Sequence, residues 1–275
     1  MALALTGTSR AARQAAEEVL EQQLRSGADT ATLASELDAV ADLLGSSSRV
    51  RRALTDPGRP AEAHEQLFVT LFGGKLSAPA LTVGVAAVRQ RWSEPEDLVI
   101  ALDALGAQAR LAAAESNDEL ADVEDELFRF GRTVEREPRL LLALSDPALP
   151  AERKLALLRA LLENKAKSLT LQLATRAVLQ PRGRSLAAAL EELADLAAAR
   201  RQRRVARVRS ARPLDAGQQA RIADAIRASY GSAVQLEVDV DPRLIGGVVV
   251  EIGGDVIDGS IARRIAEARR GLTLG

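Results

Sequence analysis

Five glycines crowd into RLIGGVVVEIGGDVIDGS, residues 243–260, and a helical pattern begins where the stretch ends. Glycines ahead of a helix can build a phosphate cradle, because bare backbone N–H groups at a helix N-terminus hold an anion. Such a loop needs G-x-x-x-x-G-K-[ST] or G-x-G-x-x-G, and neither spacing occurs in the stretch. No lysine follows Lys167. The glycines therefore read as structural: Gly253-Gly254-Asp255 suits a tight hairpin between GVVVEI and DVID, and the others admit a close helix–sheet contact.

A second candidate is RRQRRVARVRSAR, residues 200–212, with seven arginines and no acid. It suits a nucleic-acid or anionic-lipid patch. It equally suits a helix end, where arginine complements the dipole, running into a strand with an arginine outer face. No aromatic accompanies the run for base stacking, so the second reading is preferred. Residues 200–275 carry 14 Arg, no Lys and 9 acidic residues, a local charge of +5 that leaves −6 for residues 1–199.

Other chemistry is narrowly bounded. The single histidine, His64 in PAEAHEQLF, reads as a satisfied or solvated helix residue, since a metal site needs further converging ligands. With no cysteine there is no disulfide, thiolate nucleophile or cysteine-bound metal. No catalytic residue, cofactor or metal ligand is assigned. Neither a signal peptide nor an apolar run of the roughly 18 to 20 residues that a membrane span needs is recognisable, and the chain reads as soluble and cytoplasmic.

The elements that would position any site come from an internal repeat. ALTDPGRPAE starts at residue 53 and ALSDPALPAE at 143, an offset of 90 with seven of ten positions identical. The same offset, without a gap, aligns SELDAVADLL (35–44) with DELFRFGRTV (125–134), and Leu67, Leu71, Lys75, Leu81 and Val88 with Leu157, Leu161, Lys165, Leu171 and Val178. This is a duplication. In the second copy DELADVEDELFRFGRTVE is amphipathic. After it a helix capped by Ser145 or Asp146 runs through Leu155, Leu158 and Leu162. SLTLQLATRAVLQ and SLAAALEELADLAAARRQRR follow as helices, the latter with Leu186, Leu190, Leu193 and Leu196 in one stripe. The first copy repeats the order after a helix near 9–27, and a long helix near 95–115 closes one copy and opens the next. A period this long indicates small bundles rather than turns of a solenoid.

From about residue 204 the periodicity changes. VARVRSA alternates as a strand, and PLDAGQQARIADAIRASYG is a helix with a capping box between Asp215 and Gln218, an apolar stripe of Ile222, Ala225, Ile226 and Tyr230, and Gly231 at its end. AVQLEVDVD alternates, with Val234, Leu236, Val238 and Val240 on one face. The hairpin follows, then a helix SIARRIAEARRGL capped by Asp258 or Ser260, with Ile261, Ile265, Ala268 and Leu272 inward. The fold class is mainly α: two tandem helical bundles, 1–105 and 106–203, and a small α/β domain with a β-hairpin, 204–275.

LIGGVVVEIGGDVIDGSIARRIAEARRGL resembles the C-terminal signature of the ATP synthase delta subunit family, which includes the mitochondrial oligomycin-sensitivity-conferring protein. RVRSARPLDAGQQARIADAI is similar to the segment preceding it in that family, and ALSDPALPAERKLALLRALLENK and VLQPRGRSLAAALEELADL to its helical region. Family members usually carry one helical domain; two copies here resemble the lengthened actinobacterial form. The resemblance implies a non-catalytic stator subunit, peripheral on the cytoplasmic face of the cell membrane and without a span of its own. Its helical region would grip N-terminal helices of alpha subunits and its C-terminal domain the b-type peripheral stalk, resisting rotor torque during ATP synthesis. The family's groove for the alpha helix lies between the first and fifth helices of its bundle. In copy one the fifth helix is APALTVGVAAV (78–88), apolar all round except Thr82. Such a helix must be covered on every side, which puts Val83, Gly84 and Ala87 at the guest. Its copy-two counterpart is expected to expose Gln172, Thr175 and Arg176. Arg263, Arg264, Arg269 and Arg270 could meet acidic stalk residues. A helical adaptor with another partner, or a nucleic-acid binder using the arginine run, are the alternatives.

Overall fold

In the computed structural model, which describes residues 7–203, 205–230, 235–241, 243–244, 246–252 and 255–258, matching helices begin 90 residues apart. Copy one contains α1 (Gly7–Arg25), α2 (Thr30–Ser46), α3 (Ser48–Thr55), α4 (Ala61–Phe72), α5 (Ala78–Val88) and α6 (Pro95–Ser116). α2 to α5 recur as α7 (Leu120–Arg136), α8 (Pro138–Ser145), α9 (Ala151–Leu162) and α10 (Ser168–Leu179), followed by α11 (Leu186–Arg203). The chain divides into two units, Met1–Ala197 and Ala198–Gly275.

The repeat persists in individual hydrogen bonds. Glu36 on α2 accepts from Ser77 N (3.0 Å) and Ser77 Oγ (2.6 Å), which pins the start of α5. Its counterpart Glu126 on α7 accepts from Lys167 N (2.8 Å) and Thr170 Oγ1 (2.6 Å), which pins α10. The best-matched decapeptide is a turn: Asp56 Oδ1 accepts from Gly58 N (3.0 Å) and Asp146 Oδ1 from Ala148 N (2.8 Å). These are Asx turns, in which the carboxylate replaces a backbone acceptor. That use of Asp146 corrects the expected cap: α9 begins at Ala151, after Pro150, with no side-chain cap. The short helices α3 and α8 were also not separated in the sequence reading. A single residue, Ser47 or Glu137, divides each from the helix before it, too small a break for periodicity to register.

The long helix that closes copy one and opens copy two is α6. Pro95 occupies its first turn, and Glu94 and Asp97 form a capping box. Ser9 Oγ on α1 donates to Asp97 Oδ2 (2.6 Å) and accepts from Ser93 N (2.8 Å), tying the start of α1 to the start of α6. Fifteen residues of α6, from Leu98 to Ala114, are buried, Asp103 and Gln108 among them, so the helix is covered on more than one side. One core gathers Leu33, Leu37, Leu44, Leu54, Phe68 and Leu102 of copy one. Copy two packs around Phe130, Val134, Leu158 and Leu190, and Leu111 on α6 joins Leu120, Val123, Leu127 and Leu173.

The C-terminal unit holds β1 (Val205–Ser210), α12 (Ala216–Tyr230), β2 (Gln235–Val240), β3 (Val248–Ile252) and β4 (Asp255–Asp258) in sheet order β2-β1-β3-β4. β1 and β2 are parallel, joined through α12, and β3 is antiparallel to both β1 and β4. The expected capping box is present: Gln218 N donates to Asp215 Oδ1 (2.8 Å) and Asp215 N to Gln218 Oε1 (3.0 Å). Ile226 packs with Val208 and Val250, flanked by Ile222, Leu236 and Val238. Gly246 and Gly247 (φ 154° and 83°) turn the chain into β3 with backbone angles that side chains resist. The expected hairpin residues Gly253 and Gly254, Gly231, the helix over 260–272 and its arginines lie outside the described residues.

Candidate partner-binding site

Helix α5 starts at Ser77, whose Oγ accepts from Ala80 N (3.4 Å), with Pro79 in the first turn. Its far end is held on both sides. Trp92 Nε1 donates to Ala87 O (3.0 Å), and Arg89 pairs with Glu62 (3.1 Å) and with Glu65 on α4. Val83, Gly84 and Ala87, the expected guest-contacting residues, are all buried. They face the interior of their own bundle. Phe68 on α4 lies so close over Gly84 that a Cβ there would collide with its ring. Ala16 and Leu20 of α1 belong to the same core, while Leu81 and Val85 of α5 and Val19 of α1 are half-buried against it. Those half-buried side chains are apolar surface that α1 and α5 leave partly uncovered.

The counterpart helix α10 departs from expectation at two residues. Gln172 is exposed, but Thr175 is half-buried and Arg176 reaches across to copy one. Its Nη1 donates to Asp42 Oδ2 (2.8 Å), its Nε and Nη2 to Asp103 Oδ1 (3.1 Å for Nε) and its Nη2 to Asp38 O (3.2 Å). Arg182, between α10 and α11, donates to Asp103 Oδ2 (2.7 Å) and to Asp42. Asp38 in turn accepts from Arg110 Nη2 (2.5 Å). Burial alone would pull the Arg176 guanidinium down. The hydrogen bond that Arg176 donates to Asp42 and the charges of Asp103 and Asp38 overcome it, so Arg176 sits above its ordinary value. Burial pushes the Asp38 carboxyl up, and Arg110 and Arg176 only partly oppose it. This cluster was missed from sequence. The readable signal was that the residues 90 away from Asp38 and Asp42 are Phe128 and Arg132.

Between α6, α10 and α11, where copy two repeats the α1–α5 position, a cleft of about 30 Å³ is lined by Ala104, Ala107, Leu173, Ala177, Ala189 and Leu193, among others. Among the described residues there is no cluster of acids and histidine able to hold a metal, and no helix long and apolar enough to cross a membrane. His64 is buried, its Nε2 3.1 Å from Asp56 O. Arg207 and Arg209 lie on the exposed face of β1, with Val208 and Ser210 turned inward, as the strand reading of the arginine run expects.

Residues 106–272 match the family model for the ATP synthase delta (OSCP) subunit. The chain is 47% identical over 278 residues to the ATP synthase subunit delta of Parafrankia sp. (strain EAN1pec), covering 98% of this chain and 100% of that one. It belongs to the ATP synthase delta (OSCP) subunit family. Within that family it is also 45% identical to the subunits of Frankia alni (96% of each chain) and Streptomyces avermitilis (96% of this chain, 97% of that one). It is thus a non-catalytic subunit of the lengthened form found in these bacteria. The segment matching the delta (OSCP) model begins within α6 and leaves residues 1–105 outside it. A chain in the cryo-EM structure of the Toxoplasma gondii mitochondrial ATP synthase hexamer matches 61% of this chain and 94% of its own length, at 25% identity, with a TM-score of 0.31, too low to bear on the fold.

Proposed function

We propose that this subunit is a stator clamp, fastening the catalytic head of a proton-translocating ATP synthase to its b-type peripheral stalk at the cytoplasmic face of the membrane. The observation that carries the reading is identity near 47% over essentially the whole of a relative named ATP synthase subunit delta. In this reading residues 1–105 and 106–203 are two head-facing bundles and residues 204–275 the stalk-facing domain. Neither nucleic acid nor cofactor takes part. Two attachments in one chain raise each other's effective concentration, so moderate affinities combine into a hold that withstands rotor torque.

The guest in copy one is an amphipathic N-terminal helix of an alpha subunit, lying on Val19, Leu81 and Val85, the part of α1 and α5 left half-buried, and not on the buried Val83, Gly84 and Ala87. Because Ala87 is fully buried, a charge there would damage the bundle itself, and Val85 is the better probe. Val85→Glu is expected to abolish binding of the full chain to an alpha N-terminal peptide with helicity preserved; undiminished affinity would end the copy-one assignment. The small cleft at the equivalent place in copy two, with an alanine and leucine floor rimmed by Asp103, Arg176, Arg184 and Glu192, supports a second reading, in which copy two takes the guest. Thr175 stands 90 residues from Val85, so Thr175→Glu is the matching probe, and loss of binding there alone would transfer the site. For the clamp as a whole, membranes from a strain lacking the subunit should hydrolyse ATP without pumping protons. Normal coupling in that strain would overturn the stator role.

A further inference from the structure

Six charged side chains meet where the two helical copies abut: Asp38 and Asp42 on α2, Asp103 and Arg110 on α6, and Arg176 and Arg182 of copy two. Three of them lie where the 90-residue register holds, and none keeps its charge in the other copy: Asp38, Asp42 and Arg176 correspond to Phe128, Arg132 and Ala86. The pattern therefore belongs to this joint and not to the repeat. The surrounding backbone is fitted to it as well. Gly45 on α2 lies directly under the Arg182 guanidinium, where a Cβ would collide with Nη1. Arg182 itself holds φ 52°, a left-handed conformation that residues with a side chain rarely adopt. A second tie joins the copies elsewhere: Arg13 on α1 donates to Glu192 on α11 (2.8 Å), and Glu192 also accepts from Arg184.

We propose that the aspartate–arginine cluster is a charge lock that fixes the angle between the two copies, so that they move as one rigid arm. A shared helix alone leaves the angle soft, because long helices curve readily. Ties at separate points between the bundles remove that freedom. Each guanidinium bridges Asp42 and Asp103 through different nitrogens, charge-assisted bonds that set direction as well as attraction, and their partial burial limits screening by salt. This is a statement about the chain by itself and stands whether or not the stator reading does.

The chain contains no cysteine, so labels can be introduced singly. Gln66→Cys on α4 and Ala156→Cys on α9 occupy equivalent, exposed repeat positions and carry a spin-label pair in the full-length protein. The expected result is one narrow inter-label distance in the parent and loss of that narrow component in Arg176→Glu/Arg182→Glu. Far-UV circular dichroism and the emission of Trp92 establish that the bundles remain folded. Should the double variant unfold, Arg182→Met and Asp42→Asn decide, the latter because Asp42 is 42% exposed and tolerates a neutral amide. Each is expected to broaden the distribution, whereas Arg129→Ala, removing an exposed pair away from the joint, should leave it narrow. A broad distance in the parent, or an unaltered narrow one in both milder variants, would overturn the lock.

Discussion

In copy one, α2 is buried on two faces, with Leu33, Leu37, Val40 and Leu44 in the core and Ala34, Asp38 and Ala41 covered as well. In copy two the corresponding helix α7 is buried along one stripe, and Phe128, at the position of Asp38, stands 59% exposed. The two helices share length and inner stripe. They differ in what lies against the outer face. The repeat dictates how a bundle closes on itself, and its neighbours dictate what the remaining surface must be. An aspartate is buried where arginines meet it, and at the same repeat position a phenylalanine is left in solvent.

The sharpest way to break this comparison is to remove a charge from each side of it. Arg176→Met leaves Asp42 and Asp103 with Arg182 alone and is expected to cost at most about 3 kcal/mol, the lower end for a broken buried pair because Arg182 still meets both acids and Asp42 retains water. Arg129→Met on α7 breaks a pair whose side chains are 67% and 63% exposed, and should change stability by less than about 0.5 kcal/mol. Urea titrations followed by circular dichroism measure both. Trp92, the only tryptophan, lies against the core of copy one and reports that copy separately. Similar losses in the two variants would mean that the joint is no more than surface charge.

A second difference lies inside the cores. Copy one pairs Phe68 with Gly84, while the positions 90 residues on are Leu158 and Ala174. A large ring over a missing Cβ is thus matched by a smaller side chain over a methyl. Gly84→Ala in copy one should overpack the site and cost about 1–3 kcal/mol, despite the better helix propensity of alanine. Phe68→Leu/Gly84→Ala, which installs the copy-two pair, should recover much of that loss. Strict additivity of the two changes in a double-mutant cycle would show that the residues do not compensate.

Titration separates the copies more gently. Burial raises the Asp38 carboxyl, so the folded chain binds that proton more tightly than the unfolded chain. Its contribution to stability is therefore fully present below the ordinary carboxylate value of about 4 and is lost as pH rises through the raised value. The urea midpoint of the parent, relative to Asp38→Asn, should rise as pH is lowered from neutrality into that window. Phe128→Asn, at the equivalent but untitratable position, should show no such trend. A pH-independent difference for Asp38→Asn would place the carboxyl in ordinary solvent.

Much of this was legible in the residues. The duplication, the shared helix α6, the capping box at Asp215 and the strand reading of VARVRS follow from patterns confined to a few turns of chain. What escaped was set elsewhere. Arg176 reads as a solvated residue on the polar side of α10 because its partners lie 73 and 134 residues away in sequence. Val83, Gly84 and Ala87 read as a surface awaiting a guest, since an all-apolar helix announces only that it must be covered; α1 and α4 supply part of that cover. Comparing each residue with its repeat partner carries the missing information, because a charge present in one copy and absent from the other marks contact outside the bundle.

The smallest expected effect tests the opposite case, where the copies have not diverged. Asp56 and Asp146 each end a short helix and accept one backbone N–H across a proline-containing turn, at 3.0 and 2.8 Å. Both turns are solvent-exposed, so neither carboxylate carries a large desolvation term. Asp56→Ala and Asp146→Ala should each remove about 0.5–1.5 kcal/mol, the net worth of one hydrogen bond, and the two losses should agree within about 0.5 kcal/mol since no contact joins the sites. Asp56 also has Arg59 at 3.5 Å, but that pair is about half exposed on both sides and adds little. A loss at Asp56 several times that at Asp146 would show that the turn in copy one supports more than its own bundle, and that divergence between the copies extends into their best-matched segment.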